Sequence, residues 1–301
     1  MRVTPSPQPA GTDRGGPGLG SVAIVGAGQV GTMLGLALRG VGEDRGACEV
    51  TLFDRNPSTA AVSLGRGAGD RVLATAAEAL GAGTIILALP VPDILGYLAE
   101  YGGRAQPGSL FLDTGSAKAE VVQAMRDCLA PGVHAVGGHP MVGTEGVGPA
   151  AAHPELLRDA AFVLTPVHDD AEALTRARAL VRRLGARPLE MDAERHDTTV
   201  ARTSHLPHVT AFAIAAAAGR AASGPDFAPG LASTGYRSAT RLADSNPYMV
   251  ASFLSANRTH VRTGVQELRS WLTRFEAELE TSPEQLGRFL AEAASQGAKV
   301  A

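Results

Sequence analysis

The strongest constraint on the fold is a short apolar strand that runs directly into closely spaced glycines. Residues 21–25, SVAIV, are apolar and mostly β-branched, and GAGQVG and a helical pattern follow at once. Gly26 permits a tight turn, Gly28 lets the backbone approach a pyrophosphate, and Gly31 lets the helix pack close to the strand. The N-terminus of such a helix attracts phosphate charge. The stretch therefore predicts the strand, turn and helix that open a dinucleotide-binding fold.

A carboxylate follows the second predicted strand. EVTLF ends in Asp54, at roughly the separation from the first glycine at which a carboxylate meets the adenosine ribose of a dinucleotide. Because a carboxylate accepts hydrogen bonds from a ribose diol and repels a 2′-phosphate, NAD is favoured over NADP. Two alternatives stay open: the adjacent Arg55 could accept that phosphate, and Asp54 could merely cap the turn at Asn56. The expected nucleotide-binding residues are Gly26, Gly28, Gln29, Val30, Gly31, Asp54, Arg55, Leu89 and Pro90.

Strands and helices continue to alternate over the first two thirds of the chain. Further strand-like apolar runs lie at 84–92, 109–118, 133–138, 161–166 and 186–191. Such alternation implies an α/β domain with a parallel sheet wound on both faces, in which ligands bind beyond the carboxyl ends of the strands. Polar residues stand at two of these ends: Asp113, Thr114, Ser116, Lys118 and, after the next strand, His139. We expect a dinucleotide-binding domain over residues 21–192.

The strand signals then stop, and an all-helical domain is expected over residues 193–301. This part is Ala-rich and helical in spacing. Pro207 removes a backbone donor and should kink the first helix. The alanines at 215–218 allow helices to approach closely, and a helical half with so much small apolar surface often buries it against a second copy. We therefore expect a homodimer formed through this domain. Ser282 and Gln285 have the spacing of a capping box ahead of a last amphipathic helix.

Composition narrows the classes of partner. A net charge of −3 and a pI near 6.2 give no electrostatic footprint for nucleic acid or an anionic membrane, so we expect a small-molecule partner. Cys48 and Cys128 suggest neither a disulfide framework nor a metal cluster, which favours a reducing cytoplasm and no metal. Apolar runs fall short of the roughly 20 residues that span a bilayer. Residues 1–20, rich in Pro and Gly, are expected to form a disordered leader.

Four clusters of polar residues require a common explanation: DTGSAK, GGHPMVGTE, HDTTVARTSHLPH and GYRSATRLADSNPYM. In this order, after a GxGxxG strand, they resemble the prephenate and arogenate dehydrogenase family of tyrosine biosynthesis. The resemblance covers about residues 21–260, and GGHPMVGTE and SHLPH are its more specific parts. It implies an NAD-dependent oxidative decarboxylation of a cyclohexadienol. Hydride leaves the ring carbon that bears the hydroxyl, carbon dioxide departs, and the ring becomes aromatic.

The resemblance also implies roles for individual side chains. His139 matches the catalytic histidine, and a neutral imidazole can take the hydroxyl proton near pH 7. Ser116 matches a serine that hydrogen-bonds the substrate hydroxyl and that histidine. Arg241 matches an arginine whose planar fork binds a substrate carboxylate. Further matches on the substrate side are His208, His205, Thr144 and His196, which is followed by Asp197.

Several of these side chains have a purely structural alternative. His205 and His208 could be helix-packing histidines, and Arg241 could pair with Asp244, three residues further on a helix. Arg237 is a weaker candidate for the substrate carboxylate. Lys118 could contact substrate, but at the start of a helix it is expected to be solvated.

The family divides by substrate, and other classes of protein share parts of the pattern. His139 and Ser116 suit a 4-hydroxyl, which favours prephenate or arogenate over 4-amino-4-deoxyprephenate. The ammonium of arogenate would want a carboxylate, for which Glu145 is a candidate. A β-hydroxyacid or imine-type dehydrogenase would ordinarily place a lysine on the first helix of the second domain, where this chain has TSHLPH. A non-catalytic NAD-binding sensor would tolerate loss of His139 or Arg241.

Overall fold

A computed structural model of the chain describes residues 20–40, 48–143, 146–224, 227–228 and 230–299. Of the leader predicted at 1–20, all but Gly20 lies outside the described residues, as do Thr144 and Glu145. Among the described residues, none of the helices is long and apolar enough to cross a membrane.

Eight strands form a single sheet in the order β3-β2-β1-β4-β5-β6-β7-β8. The strands are β1 Val22–Val25, β2 Val50–Phe53, β3 Arg71–Val72, β4 Thr84–Leu87, β5 Leu110–Asp113, β6 His134–Pro140, β7 Ala161–Pro166 and β8 Arg187–Glu190. Because β2 and β4 pair with β1 on opposite sides, the chain reverses direction across the sheet at β1. The carboxyl ends of β1 and β4 therefore flank a crevice of the kind in which α/β sheets bind ligands.

Helices cover both faces of the sheet. Neighbouring residues of a strand point to opposite sides, so Val22 and Ile24 of β1 pack in a core with Met33, whereas Ala23 and Val25 belong to a second core on the other face. Both sides of β1 are buried, which explains its continuous apolar sequence. The helices of this part are α1 Gln29–Gly40, α2 Pro57–Gly65, α3 Val91–Tyr101, α4 Ala119–Cys128 and α5 Ala171–Arg183. The predicted doubly wound α/β architecture is confirmed.

One pair of strands departs from the predicted parallel arrangement, because β7 runs antiparallel to β6. A parallel connection needs a crossover, usually a helix. Between β6 and β7 the described residues form only short 3₁₀ turns, Pro149–Ala151 and Pro154–Leu157. The chain therefore returns beside β6 in the opposite direction, and Val163 pairs with His139. The short edge strand β3, whose two residues are exposed, was not predicted.

The remainder of the chain is helical, as predicted. Its helices are α6 Ala193–Val200, α7 Leu206–Ala221, α8 Thr234–Thr240, α9 Pro247–Ala256, α10 Arg258–Glu278 and α11 Pro283–Gly297. The Asp192 side chain caps α6 by accepting a hydrogen bond from the backbone of Arg195. Ser282 and Gln285 form the predicted capping box at the start of α11.

The expected break near Pro207 takes the form of a π-helical turn. Helix α6 continues into α7 through Ala201–His205, whose backbone is π-helical. Pro207 then stands in the first turn of α7, where a missing backbone donor is tolerated. The wider turn changes which side chains face inward, and π turns often occur at functional sites. It leaves His205 fully buried and His208 half-buried.

Candidate active site

A cleft of about 860 Å³ lies between the carboxyl edge of the sheet and the helical part of the chain. This volume suits a large organic ligand. Its sheet side is formed by the ends of β1, β2, β4 and β5, and its helical side by the segment from Arg241 to Phe253. Of the predicted site residues, the cleft is lined by Gly26, Gly28, Gln29, Val30, Asp54, Arg55, Leu89, Pro90, Ser116 and Arg241.

The three glycines of the first turn have distinct geometries. Gly26 has φ 98°, and a Cβ there would lie 2.3 Å from the Ala88 carbonyl oxygen. A Cβ at Gly31 would lie 1.8 Å from the Gly26 carbonyl oxygen, so α1 can pack against the turn only with glycine here. A Cβ at Gly28 would meet no described atom within 4 Å. Gly28 therefore borders open space at the N-terminus of α1, where a pyrophosphate fits.

Asp54 is fixed at the rim of this cleft by two backbone groups. Its Oδ2 accepts a hydrogen bond of 2.9 Å from Ala27, and its Oδ1 accepts one of 2.9 Å from Asn56. The carboxylate thus caps the turn at Asn56 and also faces the cleft, where remaining lone pairs can accept from a ribose diol. The Arg55 guanidinium lies 3.6 Å from the Asp93 carboxylate. This carboxylate partly neutralises the positive charge with which Arg55 would bind a 2′-phosphate.

A loop that the sequence pattern left without a role also lines the cleft. Gly146, Val147 and Gly148 form part of its wall. The 3₁₀ turn that follows is fixed by side chains from the nucleotide side. Arg66 donates to the carbonyl groups of Pro149 and Ala152, and Gln29 donates to that of Ala151. Residues 146–148, directly after GGHPMVGTE, therefore form part of the cleft wall, and their closely spaced glycines were the signal in the sequence.

His139 stands at the head of a chain of buried hydrogen bonds. It is 7% exposed and is not among the described residues that line the cleft. Its Nδ1 lies 2.8 Å from His196 Nε2, and His196 Nδ1 lies 2.7 Å from Asp197 Oδ1. Because a carboxylate accepts, His196 carries its proton on Nδ1 and accepts at Nε2 from His139 Nδ1. His139 Nε2 is then the ring nitrogen without a proton, as a general base requires.

The end of this chain is anchored at the N-terminus of α4. Asp197 Oδ1 accepts from the backbone N–H of Lys118 at 2.7 Å, and Oδ2 accepts from that of Ala119 at 2.9 Å. Burial opposes the charged form, but the hydrogen bonds from His196 and from these two amides outweigh it and lower the pKa of Asp197. The aspartate therefore stays ionised and keeps His196 in the required tautomer.

His139 itself is held neutral. Burial, the neighbouring His196 ring and the Lys118 ammonium lower the pKa of His139 well below 6.5. A base of this kind remains deprotonated through the neutral range, in which it can accept a proton.

The backbone of Ser116 contacts the side chain of His205. Ser116 lines the cleft, and its carbonyl oxygen lies 3.1 Å from His205 Nε2. A carbonyl only accepts, so His205 carries its proton on Nε2, and its Nδ1 can accept from Asn257 Nδ2 at 3.2 Å. Burial lowers the pKa of His205 to about 4. His205 was predicted to bind substrate, but it is fully buried, stacks on Phe253 and supports the Ser116 loop, because the π turn directs it inward.

The helical wall of the cleft includes the arginine that was predicted to bind a substrate carboxylate. Arg241 faces the cleft together with Tyr248 and Met249, which the sequence pattern did not single out. Arg237 and Arg241 also share a shallow second cavity of about 380 Å³. The His208 ring lies edge-on to Phe253, a wall residue, with centroids 5.2 Å apart, and its Nδ1 is 2.9 Å from the Ser204 carbonyl oxygen.

Lys118 differs most from expectation. It was expected to be solvated, but its side chain is 0% exposed and its Nζ is bonded to Asp113 and to the Gly138 carbonyl.

Among the described residues, no three or more His, Cys, Asp or Glu side chains are arranged to hold a metal ion.

The fold and the cleft define the class of protein: a two-part protein that joins a dinucleotide-binding type of α/β fold to a helical part, with a histidine near the end of β6. The particular family follows from comparison with known proteins. A model of the prephenate dehydrogenase nucleotide-binding domain matches residues 34–190, and a model of the prephenate dehydrogenase dimerization domain matches residues 192–292. The chain belongs to the prephenate dehydrogenase family, and the predicted resemblance is confirmed.

Individual relatives agree with this assignment. The chain is 30% identical over 239 residues to cyclohexadienyl dehydrogenase from Zymomonas mobilis, a match that covers 78% of this chain and 80% of the relative. It is 29% identical over 243 residues to prephenate dehydrogenase from Bacillus subtilis, covering 80% of this chain and 65% of that protein. Prephenate dehydrogenase from Aquifex aeolicus, solved with hydroxyphenyl propionate and NAD⁺, superposes with a TM-score of 0.82 at 24% identity over 93% of this chain and 98% of its own.

Proposed function

We propose that the protein catalyses the NAD-dependent oxidative decarboxylation of prephenate or arogenate. The observation that carries this proposal is the buried chain from Asp197 through His196 to His139, which leaves an unprotonated nitrogen on the strand next to β5, whose following loop lines the cleft. The nucleotide-binding family model supports the prediction of NAD as the cofactor, and the Aquifex structure, which shares this fold, was solved with NAD⁺. The glycine turn has the open space that the pyrophosphate needs, and Asp54 suits the ribose.

In the proposed reaction, His139 accepts the proton of the ring hydroxyl as the carbinol becomes a carbonyl. Bound NAD supplies the acceptor for the hydride. Loss of the ring carboxylate as carbon dioxide sends an electron pair into the ring, and the resulting phenolate can take back the proton from His139. Because the pKa of His139 is low, its imidazolium is a strong enough acid for this return.

The other groups in the proposed mechanism position the substrate. Ser116 faces the cleft from the end of β5, next to the strand that carries His139, and we assign it the hydrogen bond to the substrate hydroxyl. Arg241 offers a guanidinium from the opposite wall to a substrate carboxylate. We keep His208 as a substrate-side residue, because it packs on Phe253 at that wall.

The deciding experiment is a side-by-side assay of prephenate, arogenate and 4-amino-4-deoxyprephenate, each with NAD and with NADP. We expect NAD reduction with prephenate or arogenate. The variant His139→Asn should lose most turnover, by roughly 10²- to 10⁴-fold, with NAD binding kept. Full activity in this variant would exclude the proposed base. NAD binding without turnover of any of the three compounds would favour the non-catalytic sensor.

We also propose that residues 193–301 form the helical domain and that two copies associate through it in the cytoplasm. The family model for this part is described as a dimerization domain. In α7, all of which the structure describes, Ala211 is the one buried residue, although the helix is rich in apolar side chains. Leu272 of α10 and Leu279, the residue directly after it, are 56% and 68% exposed. A second copy would cover such surface, and sedimentation velocity would test this.

A further inference from the structure

A buried ion pair lies beside the strand that carries His139. The side chains of Lys118 and Asp113 are both 0% exposed, and Lys118 Nζ is bonded to Asp113 Oδ2. Removing two charges from water is costly, and a buried pair by itself is weak evidence of stabilisation. A role for the pair must therefore follow from its other contacts.

Those contacts converge on the backbone of one residue, Gly138. Asp113 Oδ1 accepts from the Gly138 N–H at 3.0 Å, and Lys118 Nζ donates to the Gly138 carbonyl oxygen at 2.8 Å. The pair thus binds both polar backbone groups of the residue directly before His139. Asp113 Oδ2 also accepts from the Gly115 N–H at 2.7 Å, directly before Ser116. One ion pair therefore contacts both segments that carry the proposed reacting side chains.

The two glycines before His139 are required by close packing around β6. A Cβ at Gly137 would lie 2.1 Å from Thr165 Oγ1 and 3.3 Å from Lys118 Cδ. A Cβ at Gly138 would lie 2.3 Å from the Asp113 carbonyl oxygen. The Thr165 side chain of β7 and the backbone at the end of β5 therefore exclude a larger residue at either position. The GG of GGHP thus lets β6 lie close enough to β5 for the ion pair to reach Gly138.

We propose that Lys118 and Asp113 are positioning residues for the reaction, which fix the peptide before His139 and the loop before Ser116 in one relative geometry. This inference rests on the proposed function, because it assigns the pair a part in that reaction. Neither residue needs to touch substrate, and neither is among the described residues that line the cleft.

The charge of Lys118 adds an electrostatic effect to the positioning. The titratable groups around His139 are His196 and Asp197 from α6, His205 from the π turn, and Lys118 with Asp113 from the end of β5 and the loop after it. Burial and His196 lower the pKa of His139 most, and Lys118 lowers it further. Without Lys118 the imidazole should protonate at a higher pH, so the acid limb of the activity profile should move to higher pH.

The test removes both charges together, so that no unpaired charge stays buried. Lys118→Met keeps an aliphatic stem, and Asp113→Asn keeps an oxygen for the Gly138 N–H. We expect the double variant to bind NAD with unchanged affinity. Its kcat with prephenate or arogenate should fall roughly ten- to hundredfold, the loss expected from a displacement of about 1 Å. A matched control, Arg178→Met with Glu190→Gln, removes the exposed pair at 2.6 Å between α5 and β8 and should leave kcat and the pH profile unchanged.

A second measurement is independent of turnover. NMR titration of the His139 ring should show a neutral imidazole in the wild type where an ordinary histidine protonates, and protonation at a higher pH in the double variant. If the wild type oxidises no cyclohexadienol, the proposed function fails, while this titration still reports on the pair. A folded double variant with wild-type kcat and pH profile would overturn the proposal. If the double variant does not fold, Asp113→Asn alone takes its place, and a wild-type kcat and pH profile in that folded variant would overturn the proposal instead.

Discussion

The substitution His196→Phe tests the hydrogen-bonded chain behind the proposed base. His196 is fully buried and contacts His139 with ring centroids 5.1 Å apart, so phenylalanine fills a similar volume. The variant removes the acceptor that lies 2.8 Å from His139 Nδ1. His139 would then favour the tautomer with its proton on Nε2, which can donate to the substrate hydroxyl but cannot take its proton.

The size of the effect follows from the burial of His139. A buried donor left without a partner costs about 1–3 kcal/mol. This penalty disfavours the competent tautomer by roughly 5- to 150-fold, and we expect kcat to fall by that factor. The upper bound is the whole contribution of a general base, roughly 10²- to 10⁴-fold. The KM for NAD should stay the same, because His196 is not among the described residues that line the cleft.

Stopped-flow measurement of NADH formation in single turnovers is the suitable assay, because it separates chemistry from product release. His134→Phe is the matched control. His134 begins the same strand, β6, and its Nδ1 lies 2.7 Å from Asp170 at the opposite end from His139. The smallest expected loss is roughly 5-fold. A single-turnover rate of His196→Phe within a factor of about three of the control would therefore show that His196 does not set the tautomer of His139.

Two further predictions concern the two walls of the cleft. Arg241→Ala should raise the KM for the cyclohexadienol by roughly 10- to 150-fold with little change in kcat, because it removes a charge-assisted hydrogen bond of about 1.5–3 kcal/mol. Steady-state kinetics check this, and an unchanged KM would show that Arg241 does not bind the substrate. Gly28→Ala should keep the wild-type melting temperature but weaken NAD binding, whereas Gly31→Ala should lower the melting temperature, because its Cβ would lie 1.8 Å from the Gly26 carbonyl oxygen. Calorimetric melts and NAD titrations of both variants check this, and equal melting temperatures would contradict the assigned packing role of Gly31.

The parts of the fold that the sequence predicted are those with strong local signals. Residues 22–25 form a buried strand because every side chain is apolar and both faces are covered. The direction of β7 could not be predicted, because AFVLTP has the same pattern in a parallel and in an antiparallel strand. The difference lies in the connection before it, whose described part holds short 3₁₀ turns instead of a crossover helix.

For the candidate site, the sequence indicated residues that line the cleft, such as Ser116 and Arg241, but not how the buried side chains are oriented. Lys118 at a helix start is usually solvated, and its burial depends on Gly138, which lies 20 residues away in the chain. The signal that could have indicated it was Asp113 at the end of an apolar strand, which needs a partner when buried. His205 was expected at the substrate because it matches a histidine of the SHLPH motif in the family that the chain resembles. The π turn at Ala201–His205 directs it inward, and such a turn has no simple sequence pattern.

The residues that hold the proposed reacting groups in place come from both parts of the chain. Asp197 and His196 belong to α6 of the helical part, yet Asp197 caps α4 of the sheet part and His196 orients His139 on β6. His205, from the same helical segment, donates to the Ser116 carbonyl. Asn257 connects Asp197 with His205, because its Nδ2 donates to the Asp197 carbonyl at 2.8 Å and lies 3.2 Å from His205 Nδ1. The proposed base therefore acquires its tautomer only when the helical part is packed against the sheet part. In the proposed enzyme, this would restrict proton transfer to the assembled cleft, where the Arg241 wall also faces the substrate.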